Sequence, residues 1–199
     1  MRVLIFTDTH GIFNEIYEKY KNDLPNYDRI ILLGDHSSVD INQIMSEFTV
    51  PILRINGNHD VPSMVIYKDA LPLHEHLIGY TPTYTGWQGS HIYKDTQIYG
   101  YTQKESLDLL KTMPKADILF SHDGPYGYCG NKEDFAHCGL KGILKYIKKN
   151  KPKTIIYGHH HKFNHYTIKK TECFCVYQIA WFEFDEEGKV LNFKTFEPI

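Results

Sequence analysis

Residues 3–10 read VLIFTDTH, residues 29–36 read RIILLGDH and residues 51–60 read PILRINGNHD. Each stretch begins with a short aliphatic or β-branched run, typical of a buried strand, and continues directly into polar residues. Residues 13–21 carry apolar side chains at three- and four-residue steps, and residues 38–48 begin with a serine that could cap a helix. The resulting β-α-β-α-β order predicts an α/β fold with a mostly parallel sheet and helices on its faces.

The remainder of the chain is less regular. Residues 72–101 are rich in glycine and aromatic residues, which indicates short antiparallel strands or loops. The next predicted elements are a helix at 104–113, a strand at 116–121, a long loop at 123–138, a helix at 140–150 and a strand at 153–157. From residue 163 onward the pattern predicts three or four antiparallel strands. No shift in composition marks a boundary, so we expect a single domain spanning residues 1–199.

The composition argues against several classes of protein. The formal net charge of -2 gives no overall basic field and therefore no general indication of a nucleic-acid partner, although a local basic patch could still bind one. The apolar run Val3 to Phe6 is too short for a signal peptide, and no apolar run is long enough for a membrane helix. We therefore expect a soluble, cytoplasmic protein with no membrane partner, whose four cysteines are reduced thiols. The oligomeric state stays open.

Five polar segments each follow a predicted strand. They are Asp8-Thr9-His10, Gly34-Asp35-His36, Gly57-Asn58-His59-Asp60, Ser121-His122-Asp123-Gly124 and Gly158-His159-His160-His161. Ligands bind beyond the carboxyl ends of the strands in an α/β sheet, so these segments should converge. Carboxylate, imidazole and amide oxygen suit Mn, Zn or Fe, and the donors suffice for two ions. Two such ions could clamp a phosphoryl group and acidify a water molecule, which predicts hydrolysis of a phosphate ester.

The order D-x-H, G-D, G-N-H-D, H and G-H-x-H resembles that of the calcineurin-like metallophosphoesterases, and the resemblance extends from Asp8 to His161. It implies a four-layer α-β-β-α sandwich, in which two mixed β-sheets pack face to face and helices flank them. The predicted C-terminal antiparallel strands would then belong to the second sheet.

The resemblance also implies roles for individual residues. The first metal would be held by Asp8, His10, Asp35 and His161, and the second by Asp35, Asn58, His122 and His159. Asp35 would bridge the two ions. The resemblance places His59 beside the leaving group as a general acid or transition-state donor. Asp60 would orient His59, or would instead cap the following helix.

Substrate contacts are less well defined by the pattern. The candidates are Asn58, His59, His36 and Tyr126, where Tyr126 could stack on a base or simply pack within its loop. His36 could face the substrate or donate a hydrogen bond behind the metal ligands. His160 should point away from the ligands on either side of it if the segment is extended.

Two features of the motifs bear on the type of substrate. The residues after Asp35 lack the arginine of the protein Ser/Thr phosphatases, whereas residues 121–127 look like the H-G-P-P-Y-G stretch of smaller phosphodiesterases. We therefore expect a phosphodiesterase for a nucleotide-type or other small phosphoester, with Mn favoured over Zn, Fe, Ni or Mg. A phosphomonoesterase is the alternative. A non-catalytic protein-binding scaffold on the same fold would be expected to lose ligands or His59, and this sequence keeps them.

Overall fold

Two β-sheets form the centre of the structure, a computed structural model that describes residues 1–60, 70–79, 81–128, 130 and 133–199. The strands are β1 (Arg2–Thr7), β2 (Arg29–Leu32), β3 (Ile52–Arg54), β4 (Ala70–Pro72), β5 (Tyr84–Trp87), β6 (Ser90–His91), β7 (Gly100–Tyr101), β8 (Ile118–Ser121), β9 (Thr154–Tyr157), β10 (Asn164–Ile168), β11 (Thr171–Cys175), β12 (Gln178–Phe184) and β13 (Val190–Thr195). The helices are α1 (Phe13–Tyr20), α2 (Ser38–Glu47), α3 (Gln103–Leu109) and α4 (Lys141–Asn150), and a 3-10 turn follows α1 at Lys21–Asp23.

The first sheet has the strand order β13-β12-β1-β2-β3-β4, and the second has the order β10-β11-β9-β8-β5. Strands β1 to β4 run parallel, and β12 and β13 join them as antiparallel strands. In the second sheet only the β10–β11 pair is antiparallel among the described strands. Both large sheets are therefore mixed, and the small β6–β7 pair forms a separate ladder.

Alternation along the strands explains how the layers pack. In β1, Val3 and Ile5 lie between the two sheets, where they pack in one cluster with Phe120 of the second sheet. The neighbouring residues Leu4 and Phe6 belong to a second cluster on the opposite face, with α1 and α2. A third cluster joins the outer face of the second sheet to α4 and to Leu110, which follows α3 directly. The four layers of the α-β-β-α fold predicted from the sequence are confirmed.

The sequence placed the helices correctly but their ends less well. Helix α2 begins directly after Ser37. The side chain of Ser37 accepts a hydrogen bond from the backbone N–H of Asp40, and the carboxylate of Asp40 accepts one from the backbone N–H of Ser37. The cap therefore lies one residue before the predicted start of the helix. Helix α3 has the same kind of capping box, formed by Thr102 and Glu105. It ends at Leu109, four residues before the predicted end.

Two expectations about strand pairing were wrong. The C-terminal strands do not all belong to the second sheet, because β12 pairs with β1 and carries β13 into the first sheet. In the region of residues 72–101, where short antiparallel strands or loops were expected, β5 and β6 pair with parallel partners, and the antiparallel pairing is an isolated bridge between Ile78 and Tyr84 among the described residues. Strand pairs distant in sequence decide both points, and a local pattern does not reveal them.

The structure also bears on the state of the cysteines and on membrane-spanning helices. Cys138, Cys173 and Cys175 are buried, and none of these three forms a disulfide with another described residue; Cys129 lies outside the described residues. Among the described helices, none combines the length and apolar character required to span a membrane.

Candidate metal centre

The five polar segments converge at one edge of the structure. Each begins within a few residues of the end of β1, β2, β3, β8 or β9, all of which run parallel to a neighbouring strand in the two packed sheets. Two groups of ligand atoms form there, with the atoms of each group within 4.8 Å of one another. One group is Asp8, Asp35, His122 and His159, and the other is Asp8, His10 and His161. The structure thus brings together all six predicted carboxylate and imidazole ligands.

Asp8 belongs to both groups, whereas the carboxylate of Asp35 belongs to the first group and also approaches His10 of the second. Its Oδ2 atom is 3.5 Å from Nε2 of His122 and 4.0 Å from Nε2 of His10. Within the described chain this buried oxygen accepts no hydrogen bond, and neither does Oδ1 of Asp8, which lies 3.6 Å from Nε2 of His161. Burying a carboxylate oxygen without a hydrogen-bond donor destabilises the folded protein, and a cation beside the oxygen removes that penalty. The donor set therefore fits divalent metal ions.

The imidazole of His122 has the orientation of a metal ligand. Its Nδ1 lies 2.7 Å from the carbonyl oxygen of Leu33, to which an Nδ1–H donates. The lone pair of Nε2 then faces the side-chain oxygen of Asn58 at 2.8 Å. Two lone pairs at this distance need a proton or a cation near both. This arrangement, with the outer nitrogen fixed by a carbonyl, is common among metal-bound histidines.

Burial and charge act on the histidines in different directions. Burial opposes protonation of His122, but Asp35 and Asp8 outweigh it and raise the pKa of this residue. The carboxylate of Asp8, whose Oδ1 lies 3.6 Å from Nε2 of His161, raises the pKa of His161. Burial instead lowers the pKa of His159 to about 3. Without metal, the nearby carboxylates therefore favour protonation of His122 and His161 more than that of an isolated imidazole, and protons compete with metal for these nitrogens.

Most of the ligand positions have an unusual backbone conformation. Positive φ angles occur at Asp8 (51°), His10 (44°), Asp35 (58°), His159 (67°) and His161 (48°). Residues other than glycine rarely adopt this left-handed region, and such strain concentrates at functional sites. It turns the chain sharply after each strand and directs several side chains to the same place.

Two glycines provide the space for the carboxylates. A Cβ atom on Gly57 would overlap Oδ1 of Asp35, and one on Gly158 would lie 2.6 Å from Oδ2 of Asp8. Neither position can carry a side chain without displacing a predicted ligand.

Three buried or half-buried carboxylates that are outside the two ligand groups brace these turns. Asp40 accepts hydrogen bonds from Thr9, Gly11, Phe13 and Ser37. Asp60 accepts from the backbone N–H groups of Asp35, His36 and Gly57. Asp123 accepts from the backbone of His91 and Gly124 and lies 3.1 Å from Nε2 of His160. The bracing roles of Asp40 and Asp123 escaped the sequence analysis.

His59 lies on the open side of the ligand groups. Its backbone N–H donates to Oδ1 of Asp35 at 2.8 Å, and its exposed ring is 5.5 Å from the ring of His10, measured between centroids. The described hydrogen bonds of Asp60 brace the backbone and do not include the ring of His59. The helix that Asp60 was predicted to cap falls on residues 61–69, which lie outside the described residues.

Tyr93 is a site residue that the sequence analysis missed. Its hydroxyl accepts a hydrogen bond from Nδ2 of Asn58 at 3.2 Å and lies 3.4 Å from Nε2 of His59. The side chain of Gln97 holds this loop by accepting from the backbone N–H groups of Tyr93 and Lys94. No sequence signal identified Tyr93, because it follows none of the strands that carry the motifs.

A pocket of about 210 Å³ opens beside these residues. It is lined by Asn58, His59, Asp60, Tyr93, Lys94, Thr96, Gln97 and Ile98. The ammonium group of Lys94 lies 5.3 Å from the centre of the Tyr93 ring. The pocket therefore offers an aromatic hydroxyl and a cation next to His59.

The other predicted contacts have different surroundings. His160 is buried against Asp123, as expected for a residue that points away from the ligands. The hydroxyl of Thr9 donates to Asp40 and so accepts from Nδ1 of His36, which leaves Nε2 of His36 as a buried acceptor. Tyr126 lies under the ammonium group of Lys141, 5.0 Å from the ring centre, and its described contacts do not reach the ligand groups.

Comparison with known proteins gives a clear family match. The model of the calcineurin-like phosphoesterase superfamily domain matches residues 1–179 of the chain. No curated protein matches the chain significantly.

Solved structures with the same fold share little sequence with the chain. TT1561 of Thermus thermophilus is 18% identical, with a TM-score of 0.63 and coverage of 98% of both chains. A dimetal phosphatase from Danio rerio is 10% identical, with a TM-score of 0.57 and 99% of both chains covered. A novel archaeal phosphodiesterase is 14% identical, with a TM-score of 0.53 and coverage of 98% of this chain and 100% of the other. At such identities the likeness establishes the fold alone.

Proposed function

The chain belongs to the calcineurin-like phosphoesterase superfamily, and on that basis we propose that it hydrolyses a phosphodiester, of nucleotide type, in a reaction that depends on two divalent metal ions. Residues 1–199 would act as a single catalytic domain. Mn is the favoured metal because the donor set mixes carboxylates with imidazoles.

One observation carries this proposal. Oδ2 of Asp35 and Oδ1 of Asp8 are buried without hydrogen bonds from the described residues, and histidines from both ligand groups surround them. The residues that would hold the metals are Asp8, His10, Asp35, Asn58, His122, His159 and His161. Such ions, when bound, supply Lewis-acid charge and lower the pKa of a water molecule, so the chain itself needs no serine or cysteine nucleophile.

The protein groups then orient the ester and its leaving group. The ring of His59 is exposed beside the ligand groups, where it can donate a proton or a hydrogen bond to the leaving oxygen. Tyr93 holds Asn58 and stands next to His59, on the side where a leaving group would lie. The phenol ring also offers a surface for a base.

A phosphomonoesterase is the second candidate, and Lys94 favours it. A monoester dianion carries one more charge than a diester, and a cation beside the metals would stabilise that charge. Lys94 is exposed, which weakens its effect through solvent screening. The named structural neighbours include both a phosphatase and a phosphodiesterase, so they favour neither candidate.

The experiment is hydrolysis of matched aryl phosphate mono- and diesters by metal-stripped protein, with Mn, Ni, Zn or Mg added back. Asp35→Asn and His59→Ala variants are compared with Asp117→Asn, whose carboxylate accepts from Thr83 at the other end of β8. We expect metal-dependent diester cleavage that is lost in the first two variants and kept in the third. Faster monoester cleavage would select the second candidate. Absence of turnover with two bound metals would refute the enzymatic proposal.

A further inference from the structure

A pocket of about 650 Å³ lies far from the metal centre. Lys153 immediately precedes β9 and lines this pocket, whereas His159 follows the opposite end of the same strand. The four residues of β9 span roughly 13 Å, at about 3.3 Å per residue. The lining residues are Ile147, Lys151, Lys153, Lys169, Lys170, Thr171, Glu172 and Lys189. Five lysines from three separate connections between elements therefore surround one cavity.

The positive charge of this pocket is largely uncompensated. Glu187 pairs with Lys153 at 3.2 Å, and Glu172 lies 3.8 Å from His165. Across the described residues, the side chains of Lys151, Lys169, Lys170 and Lys189 have no acidic partner. The whole chain carries a formal net charge of -2, so this cluster opposes the overall sign. Like charges gathered in a concave surface attract counter-ions strongly.

The geometry of the turns does not require lysine at these positions. Lys151 ends α4 with φ 54°, and Lys169 occupies the β10–β11 turn with φ 57°. Glycine or asparagine adopts this conformation at lower cost. The lysines therefore contribute charge where the backbone alone would favour another residue.

We propose that this pocket binds a compact polyanion with two or three adjacent phosphate groups. Lysine ammonium groups bind phosphate as point charges, and several of them match the charge of an oligophosphate better than that of a single phosphate. The volume lies within the usual range for small-ligand sites. The described lining includes no arginine, so it does not provide the flat two-point recognition of carboxylates. The proposal is independent of the proposed hydrolysis, because the two sites share no residue.

The test measures binding of inorganic tripolyphosphate to the full chain by calorimetry at low salt, without added divalent metal. The pocket variant combines Lys169→Asn, which suits the left-handed turn, with Lys170→Gln. The control combines Lys19→Gln with Lys104→Gln, two exposed lysines elsewhere that give the same net charge. We expect the pocket variant to weaken binding by at least about tenfold and the control to change it by less than about twofold. Thermal melting checks that both variants fold.

Backbone amide NMR shifts locate the ligand. Shifts centred on Lys170 and Thr171 support the proposal, whereas shifts centred on Asp8 and Asp35 place the anion at the metal centre and overturn it. Equal weakening in both variants would mean attraction by general charge only, which also overturns it. A single-stranded oligonucleotide that binds where tripolyphosphate does not would identify a nucleic-acid surface and would likewise overturn the proposal.

Discussion

Replacing Asp35 with asparagine distinguishes a metal ligand from a structural carboxylate, because the two roles predict opposite changes in stability. Burial, together with the charges of Asp8 and Asp60, raises the pKa of Asp35. A carboxylate whose pKa is higher in the folded protein destabilises the fold above that pKa, and the effect disappears at acid pH, where the group is protonated in both states. Asparagine keeps an oxygen to accept from the backbone N–H of His59.

The expected gain for the metal-free variant near neutral pH is about 0.5–2 kcal/mol, the usual range for a single stabilising substitution. For a chain of this length, about 1 kcal/mol shifts Tm by about 2–4 °C, so the metal-free Tm should rise by roughly 1–8 °C. Metal at about a hundred times its Kd stabilises the wild-type protein by about 2.7 kcal/mol, or roughly 5–11 °C. We expect most of that metal-induced increase to be lost in the variant.

The assay is thermal unfolding of wild-type, Asp35→Asn and Asp117→Asn proteins, with and without Mn. Asp117 accepts hydrogen bonds from the backbone and hydroxyl of Thr83 at 2.9 and 2.6 Å, so its variant should lose stability but keep the full metal-induced increase. An Asp35→Asn protein that is less stable without metal, yet gains as much from Mn as the wild type, would refute the assignment of Asp35 as a ligand.

Four further predictions concern the residues around the ligands. His59→Ala should reduce turnover by about 10²–10⁴-fold with unchanged metal content, measured by kinetics and elemental analysis. Tyr93→Phe should lower kcat/KM by roughly three- to tenfold and leave metal affinity unaltered; an equal loss of metal affinity would show that the hydroxyl supports only the ligands. Asp60→Ala leaves three backbone N–H groups without their acceptor and should cost at least about 2 kcal/mol in urea unfolding. Asp8 raises the pKa of His161, so protons should compete with metal for this residue and metal affinity should fall as pH decreases through that raised pKa. Calorimetric titration of metal from about pH 8 to about pH 5 measures this fall, and a constant affinity would contradict the prediction.

The sequence was sufficient to predict the parallel strands and the ligands at their ends, because these features have local signals. An apolar run followed at once by Asp8 or His122 defines both a strand and the edge at which its polar residue emerges. Pairing between distant strands carries no such signal. Strand β12 lies next to β1 although most of the chain separates them, and the alternation within β12 is compatible with either sheet.

Tyr93 illustrates what the sequence could not provide at the site. Its position depends on Gln97, whose side chain accepts two backbone hydrogen bonds, and on the short β6–β7 ladder. Each of these contacts is ordinary by itself, and only their combination in space brings the hydroxyl to His59. Motifs at strand ends predict ligands well, whereas residues supplied by an irregular loop need the folded structure.

The bracing carboxylates follow from the strain at the ligand positions. A non-glycine residue in the left-handed region costs about 1–2 kcal/mol, and five ligand positions adopt it. A hydrogen bond to a charged group contributes about 1.5–3 kcal/mol. Asp40 accepts four, from Thr9, Gly11, Phe13 and Ser37. Asp60 accepts two from the turn that carries Asp35 and one from Gly57, beside Asn58. These aspartates hold the strained turns in place before any metal binds. The chain therefore uses two kinds of aspartate in adjacent segments. Asp8 and Asp35 each keep one buried oxygen that accepts no described hydrogen bond and faces the metal centre, whereas Asp40 and Asp60 use their hydrogen bonds to fix the shape of that centre.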